Sequence, residues 1–380
     1  KFIEPDCSNC NKCLSICPGV VVDGSKRLDN KSTLIGPVLS IYEGYATDPE
    51  IRFNASSGGL ISAIALYCIE QQKMAKVLHV GADKSNAWFN KTMISTNRDE
   101  IITKSGSRYA PASPCEALTD DIVGDGQVVF VGKPCDIAAA RAMTERNTTL
   151  SINIGIMLSF CCAGTPSTKG TLDLIQMVGR NLEEVTELRY RGKGWPGKFS
   201  IKCKDQHFEE SLTYEESWGR LSKYRSMRCM CCPDGLGMLS DITCGDAWHN
   251  VAEVKAGKSD GLSIAIVRTV KGQEIIDGAI KSNYIKVREI SSNEVIVGQS
   301  YLIKKRQAYF GRALAMKIFC MPTTNYPGFN MLGEWCNLKP FDMIKSVLGT
   351  IRRILTRKLW RRQSIKWNET EYTGRESLGK

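Results

Sequence analysis

The sequence lacks several things that would have placed it in common classes. No run of ~18 consecutive apolar residues occurs, the length a helix needs to cross a bilayer, so no membrane-spanning helix is expected. Histidine is scarce: His79, His207 and His249 form no metal-ligand or nucleophile pattern, which argues against a zinc hydrolase or a serine triad. A Walker phosphate loop and a G-x-G-x-x-G turn are both missing, and with them the familiar signatures of P-loop and Rossmann nucleotide binding. No apolar stretch like that of a secretory leader precedes the first cysteines in Lys1-Phe2-Ile3-Glu4-Pro5-Asp6, so a cytoplasmic setting is expected. Repeats and long low-complexity tracts are also lacking.

What the chain does have is size, cysteine and positive charge. Its 380 residues are enough for a large core and two or three domains. Sixteen cysteines in a long chain without a leader, several of them two or three residues apart, point to metal binding in a reducing compartment rather than to disulfides. The net charge of +11 is compatible with nucleic acid, anionic lipid or an acidic protein as partner, and does not choose among them.

Strand, loop and helix patterns alternate through residues 36–150. Lys76–Val80, Gln127–Val131 and Ile152–Leu158 read as buried strands, and Leu60–Ile69, Ile137–Met143 and Thr168–Val178 read as helices. Shorter strands are expected at 187–191 and 198–202, flanking a Gly/Trp/Pro turn, and at 262–267, with helix over 301–320. This order predicts an α/β fold (α+β overall) with a mixed, largely parallel sheet, whose ligands would lie at the carboxyl ends of the strands. Three domains are expected: a cysteine-rich module at 1–35, a core at 36–300 and a basic helical extension at 301–380.

Cys7-x2-Cys10-x2-Cys13-x3-Cys17-Pro18 has the spacing of the bacterial ferredoxin run. Two-residue gaps let a tight loop aim successive soft, charged thiolates at one compact iron–sulfur cube. In two-cluster ferredoxins the fourth cysteine serves the other cluster, so either Cys17 or a distant cysteine completes this one; Cys17 is preferred. A second set is dispersed: Cys135 and Cys162 follow predicted strands, and Cys229 and Cys232 form a C-x2-C pair. From spacing alone these are either a second four-thiolate site or buried apolar cysteines. Cys68, Cys203 and Cys320 read as isolated core or surface thiols.

Asn54-Ala55-Ser56-Ser57-Gly58-Gly59 opens an apolar helix; its small residues would let a phosphate approach the helix N-terminus, although Ser56 or Ser57 is equally a plain cap. Ser105, Ser107, Arg108 and Tyr109 offer hydroxyls and a cation that suit a diphosphate or ribityl chain, but in isolation a solvated turn is the simpler reading. Asp241 and Asp246 would either orient a cofactor or bond a loop.

The order of these motifs resembles the beta-subunit family of the deazaflavin (coenzyme F-420)-reducing hydrogenase and its dehydrogenase relatives. The resemblance runs over roughly residues 5–290. It rests on the ferredoxin run, Ala55–Gly59, Ser105–Tyr109, Gly132-Lys133-Pro134-Cys135, Cys162–Ser167, Arg228-Cys229-x2-Cys232-Pro233-Asp234 and Ser240-Asp241-Ile242-x2-Gly245-Asp246. It implies an FAD-binding core and two [4Fe–4S] clusters, held by Cys7, Cys10, Cys13 and Cys17 and by Cys135, Cys162, Cys229 and Cys232. Asn54, Ser56, Ser57, Gly58, Gly59, Ser105, Ser107, Arg108, Tyr109 and Lys133 would then hold the flavin, with Lys133 near a reduced, anionic ring. The implied activity is that of an iron–sulfur flavoprotein oxidoreductase moving electrons between a donor such as ferredoxin and a small organic substrate or deazaflavin. The alternatives are an electron-transfer subunit without its own substrate, and a non-redox zinc or nucleic-acid protein. The last is disfavoured, and nucleic acid is not expected as a partner, because stacking motifs and a zinc-finger helix are lacking. The family often has Cys-His-Gly where this chain has Cys162-Ala163-Gly164, so an imidazole is missing at that point.

Residues 343–367 read as a basic amphipathic helix. Ile344, Val347, Leu348, Ile351, Ile354, Leu355 and Leu359 recur at helical spacing among Lys345, Arg352, Arg353, Arg357, Lys358, Arg361 and Arg362, with Trp360 and Trp367 nearby and no acid from 343 to 368. Peripheral membrane contact, packing on the chain's own core and docking to an acidic partner all fit this pattern.

Overall fold

The computed structural model describes residues 10–28, 34–124, 126–204, 209–250 and 260–361, together with residues 8, 207 and 252. Cys7, Arg362 and Trp367 lie outside the described residues.

Eleven strands are described: β1 Ser40–Ala46, β2 Lys76–Ala82, β3 Asn90–Ser95, β4 Val128–Gly132, β5 Ile154–Phe160, β6 Val185–Arg189, β7 Lys198–Cys203, β8 Glu209–Thr213, β9 Ile242–Asp246, β10 Ser263–Val267 and β11 Ile285–Glu289. Eight form one sheet in the order β11-β1-β10-β9-β5-β4-β2-β3, and β6-β7-β8 form a small second sheet. The centre of the large sheet is parallel, β2 with β4, β4 with β5 and β5 with β9, whereas β3, β10, β1 and β11 add antiparallel flanks. The sheet is therefore mixed, with a parallel heart.

The central strands are short continuous apolar runs because both faces of the sheet are covered. Alternation sends neighbouring residues to opposite sides. Val129, Ile156 and Leu158 pack with the helices Leu60–Glu70 and Val270–Lys281, while Val128, Phe130 and Met157 pack on the other face with Ile137, Tyr309 and Tyr326. That second cluster also holds Val22, Leu28 and Met331, so one apolar core joins the N-terminal stretch, the sheet and the C-terminal extension. β5 begins at Ile154, two residues later than the sequence pattern predicts, because Ile152 and Asn153 finish the helix Thr148–Asn153 that runs directly into it.

Gly58 lies where backbones press together: a side chain there would stand 2.4 Å from the Gly44 carbonyl oxygen of β1 and 2.6 Å from the Ser263 nitrogen of β10. Gly59 has φ +85°, a left-handed turn that swings the chain into the helix Leu60–Glu70.

Candidate functional site

A cleft of about 600 Å³ opens beyond the carboxyl ends of β4, β5 and β9, the position favoured for ligands in parallel sheets. Its wall is drawn from distant stretches of sequence. Ser56, Ser57 and Gly59 lead into Leu60, Ile61 and Ser62, so the first turn of the helix Leu60–Glu70 opens into the cleft with amide groups that have no intrahelical partner. Ser56 Oγ accepts a 2.6 Å hydrogen bond from the Ser107 amide, which joins that loop to Ser105–Tyr109. Ser57 Oγ donates to the Leu262 carbonyl at 3.0 Å and accepts from Ser263 Oγ at 2.9 Å.

Of the ten residues expected around a flavin, eight line this cleft: Ser56, Ser57, Gly59, Ser105, Ser107, Arg108, Tyr109 and Lys133. Asn54 and Gly58 stand behind its wall. Asn54 is engaged locally, its Oδ1 accepting from Arg189 at 3.1 Å and its Nδ2 donating to the Glu50 carbonyl at 3.0 Å. Arg108 is also committed to structure: its guanidinium donates to Asn90 Oδ1 at 2.8 Å and to the carbonyls of Leu188 at 2.8 Å and Ala87 at 2.5 Å. Asp241 staples the sheet, accepting from Arg141 at 2.8 Å, the Met157 amide at 2.8 Å and Thr269 at 3.0 Å.

Lys133 caps the helix Pro134–Thr144 at the end of β4. Its ammonium lies 2.6 Å from the Asp136 carboxylate. Burial works against the charge, but Asp136 and the neighbouring Cys135 outweigh it and hold the lysine above its ordinary pKa. Two further polar groups of the wall carry no recognisable sequence motif. Arg191, buried, makes a two-pronged contact with Asp246 at 3.0 and 2.7 Å, under the rings of Tyr214 and Trp248. Trp195 Nε1 donates to the same carboxylate at 2.8 Å. His79, on β2, shares a 2.8 Å hydrogen bond with Ser95 Oγ; burial and the Lys104 ammonium pull its pKa down to about 4, leaving a neutral imidazole. Nothing in the local spacing singles these residues out, since they are brought together by sheet order. His249 is occupied elsewhere, 2.7 Å from the Glu43 carboxylate.

The dispersed cysteines converge next to the cleft. Cys135 lies within electrostatic reach of Cys162 and Cys232, and Cys162 within reach of Cys229 and Cys232. Burial raises the thiols of Cys135 and Cys232 and pushes Cys162 up to about 11. Two cations face this group. Lys305, 2% exposed, donates only to the carbonyls of Ala163 at 3.3 Å and Cys229 at 3.1 Å, and among the described residues no carboxylate pairs with it. Arg228 bonds the Pro18 carbonyl, but its buried Nε has no hydrogen-bond partner among the described residues. Arg228 also links the two cysteine sets: the empty side-chain position of Gly19 is 3.6 Å from Arg228 Nε and 3.3 Å from Cys17 Sγ. Cys10 precedes the short helix Lys12–Ile16 and Cys13 lies within it, both exposed, and Cys17, at its end, is half-buried. Among the described residues no three His, Cys, Asp or Glu side chains gather as ligands of a single metal ion would. Cys68 and Cys203 are buried and Cys320 exposed, each in keeping with an isolated thiol.

Fold and cleft together define an α/β protein with its binding site at the ends of parallel strands and a half-buried cysteine group beside it. Residues 41–119 match the model described as coenzyme F420 hydrogenase/dehydrogenase, beta subunit N-term, and residues 125–293 match the model of the C terminus of the same beta subunit. The chain belongs to the coenzyme F420 hydrogenase/dehydrogenase beta-subunit family. It is 26% identical to the coenzyme F420 hydrogenase subunit beta of Methanococcus voltae, over 64% of this chain and 82% of that protein. It is 24% identical to the F420-dependent formate dehydrogenase subunit beta of Methanocaldococcus jannaschii, over 66% of this chain and 62% of that one. The coenzyme F420-dependent sulfite reductase of the same organism matches at 20% identity over 75% of this chain and 47% of its own length. The fold is shared with a chain of the F420-reducing [NiFe] hydrogenase complex from Methanosarcina barkeri, at TM-score 0.58 and 20% identity, covering 76% of this chain and 94% of that one.

Proposed function

We propose that this chain is an iron–sulfur flavoprotein oxidoreductase that relays electrons between its cysteine groups and FAD held in the cleft. One observation carries the reading: Lys133 and Cys162 belong both to the cleft wall and to the surroundings of the half-buried cysteine group, so the two sites adjoin. When bound, clusters would supply single electrons and a flavin would join them to two-electron, hydride chemistry.

The residues fit these groups. Cys135, Cys162, Cys229 and Cys232 are four converging thiols, and a four-iron cube spreads its ligands over separate corners instead of gathering them on one ion. A thiolate-ligated cube is anionic, which matches the buried Lys305 and the unpartnered Nε of Arg228. Cys10, Cys13 and Cys17, with Cys7, would hold the other cluster at the surface, where a redox protein such as ferredoxin can approach. In the cleft, the first turn of Leu60–Glu70 would receive the FAD diphosphate, and Ser57 and Ser107 would position it. Lys133, held charged by Asp136, would face the reduced ring. The neutral imidazole of His79 would hold its proton at a ring nitrogen in the β2 wall. A small organic substrate or a deazaflavin would take the remaining space in front of Tyr214, Trp218 and Trp248. The relatives' names as subunits favour a second reading, in which the chain feeds a larger complex and has no substrate of its own.

The test is the iron, sulfide and flavin content of anaerobically purified protein. About eight irons and about one FAD per chain are expected. Stoichiometric zinc in place of iron, or a Cys135→Ala/Cys232→Ala variant that keeps all its iron, would refute the assignment. Activity only in the presence of a partner protein would select the second reading.

A further inference from the structure

We propose that the C-terminal helix is an in-plane anchor for an anionic lipid bilayer. The helix Pro340–Thr356 packs on the protein with the side that its composition would least suggest. Its buried residues are Ser346, Thr350 and Ile354. Ser346 accepts a 3.0 Å hydrogen bond from Trp335 Nε1 and stands so close to Gly311 that a side chain there would meet Ser346 Oγ at 2.0 Å. Ile354 packs with Met316 and Cys231. Small residues therefore set the helix tightly against Tyr309–Ile318 and fix its rotation.

At 100° per residue, Phe341, Ile344, Leu348 and Leu355 fall on the side opposite Ser346. They are 72%, 58%, 58% and 51% exposed. An amphipathic helix folded for its own core would show the reverse. Lys339, Lys345, Arg352, Arg357, Lys358 and Arg361 are also exposed, against one exposed acid, Asp342, from 339 to 361. Trp360, 48% exposed, adds an interfacial aromatic at the far end. No helix among the described residues is long and apolar enough to cross a membrane. A stripe of large apolar side chains bordered by cations and nearly free of acids complements an anionic bilayer surface, into which the stripe would dip while the cations meet lipid phosphates. An acidic protein would satisfy the cations but has no need of a solvent-facing Phe341, Ile344, Leu348 and Leu355.

The full chain is floated with phosphatidylcholine vesicles, with and without phosphatidylglycerol. Co-flotation with the anionic vesicles alone, weakened by salt, is expected. The variants Ile344→Ser/Leu348→Ser and Lys345→Glu/Arg352→Glu replace exposed residues only and should melt at the parent temperature. Each should lose binding, the charge reversal by at least about ten-fold. Absence of flotation, equal binding to neutral vesicles, or variants that bind like the parent would each overturn the proposal. So would a concentration-dependent dimer that disappears in Ile344→Ser/Leu348→Ser, which would show that a second copy covers the face.

Discussion

Two buried cations, one in the cleft wall and one beside the cysteine group next to it, are handled in opposite ways. On one side Arg191 meets Asp246 through two hydrogen bonds, with Trp195 completing the carboxylate's partners. On the other, Lys305 meets only two carbonyl oxygens and faces Cys162, Cys229 and Cys232. The first arrangement is electrostatically closed and holds two loops in place. The second leaves a cation beside the sulfurs of Cys162 and Cys232, an arrangement that becomes balanced when those sulfurs carry negative charge. The contrast separates scaffold from site more clearly than burial does, since both cations are almost fully enclosed.

The largest effect should come from opening the closed wall. Asp246→Ala leaves Arg191 buried without its counter-charge and should cost about 3–5 kcal/mol in urea unfolding of the metal-free chain. A loss below ~1 kcal/mol would mean that water already reaches Arg191, and the contrast between the two cations would collapse.

His79 sharpens the comparison, because there the fold avoids buried charge by keeping a base neutral. Its pKa is held near 4, below the ordinary 6.5, so as pH falls the unfolded chain takes up the proton first. The stabilisation is complete above pH 6.5 and is lost progressively as pH falls towards 4, by about 1.4 kcal/mol per unit of depression. The unfolding free energy of the parent should therefore fall relative to that of His79→Gln on acidification. Parallel curves across that window would show that the imidazole is already solvated.

The smallest stability effect should fall on the cation beside the cysteine group. Lys305→Met should change the stability of the metal-free chain by no more than about 1 kcal/mol, since a buried cation and its two neutral hydrogen bonds disappear together. In iron-loaded protein the same change should move a cluster potential to more negative values in a redox titration, because a nearby positive charge favours the reduced state. A metal-free loss as large as that of Asp246→Ala would make Lys305 part of the scaffold.

Much of the fold was legible because its signals are local. The runs at β2, β4 and β10 and the helices that follow β4 and β5 show in apolar patterning. The antiparallel flanks were not legible. β1 and β11 pair with strands more than two hundred residues away or with each other, and local periodicity says nothing about which edge a strand joins. The cleft motifs were readable as words, but Asn54 and Gly58 were read as ligand contacts although they stand behind the wall, bonding Arg189 and separating two backbones. The C-terminal helix was readable as amphipathic, and its direction was not: the docking partner Gly311 decides that Ser346 turns inward.

Sequence alone determined the ferredoxin spacing, the ordered motifs and the alternation of strands and helices, because each depends on covalent neighbours and short-range geometry. Tertiary structure alone decided that Cys135, Cys162, Cys229 and Cys232 share one neighbourhood and that Lys305 lies unpaired beside them among the described residues. It also decided that Lys133 and Cys162 stand in the wall between that neighbourhood and the cleft. The reason is the parallel order of β4, β5 and β9, which carries the ends of three distant segments to the same edge of the sheet, a juxtaposition produced by long-range backbone pairing and core packing.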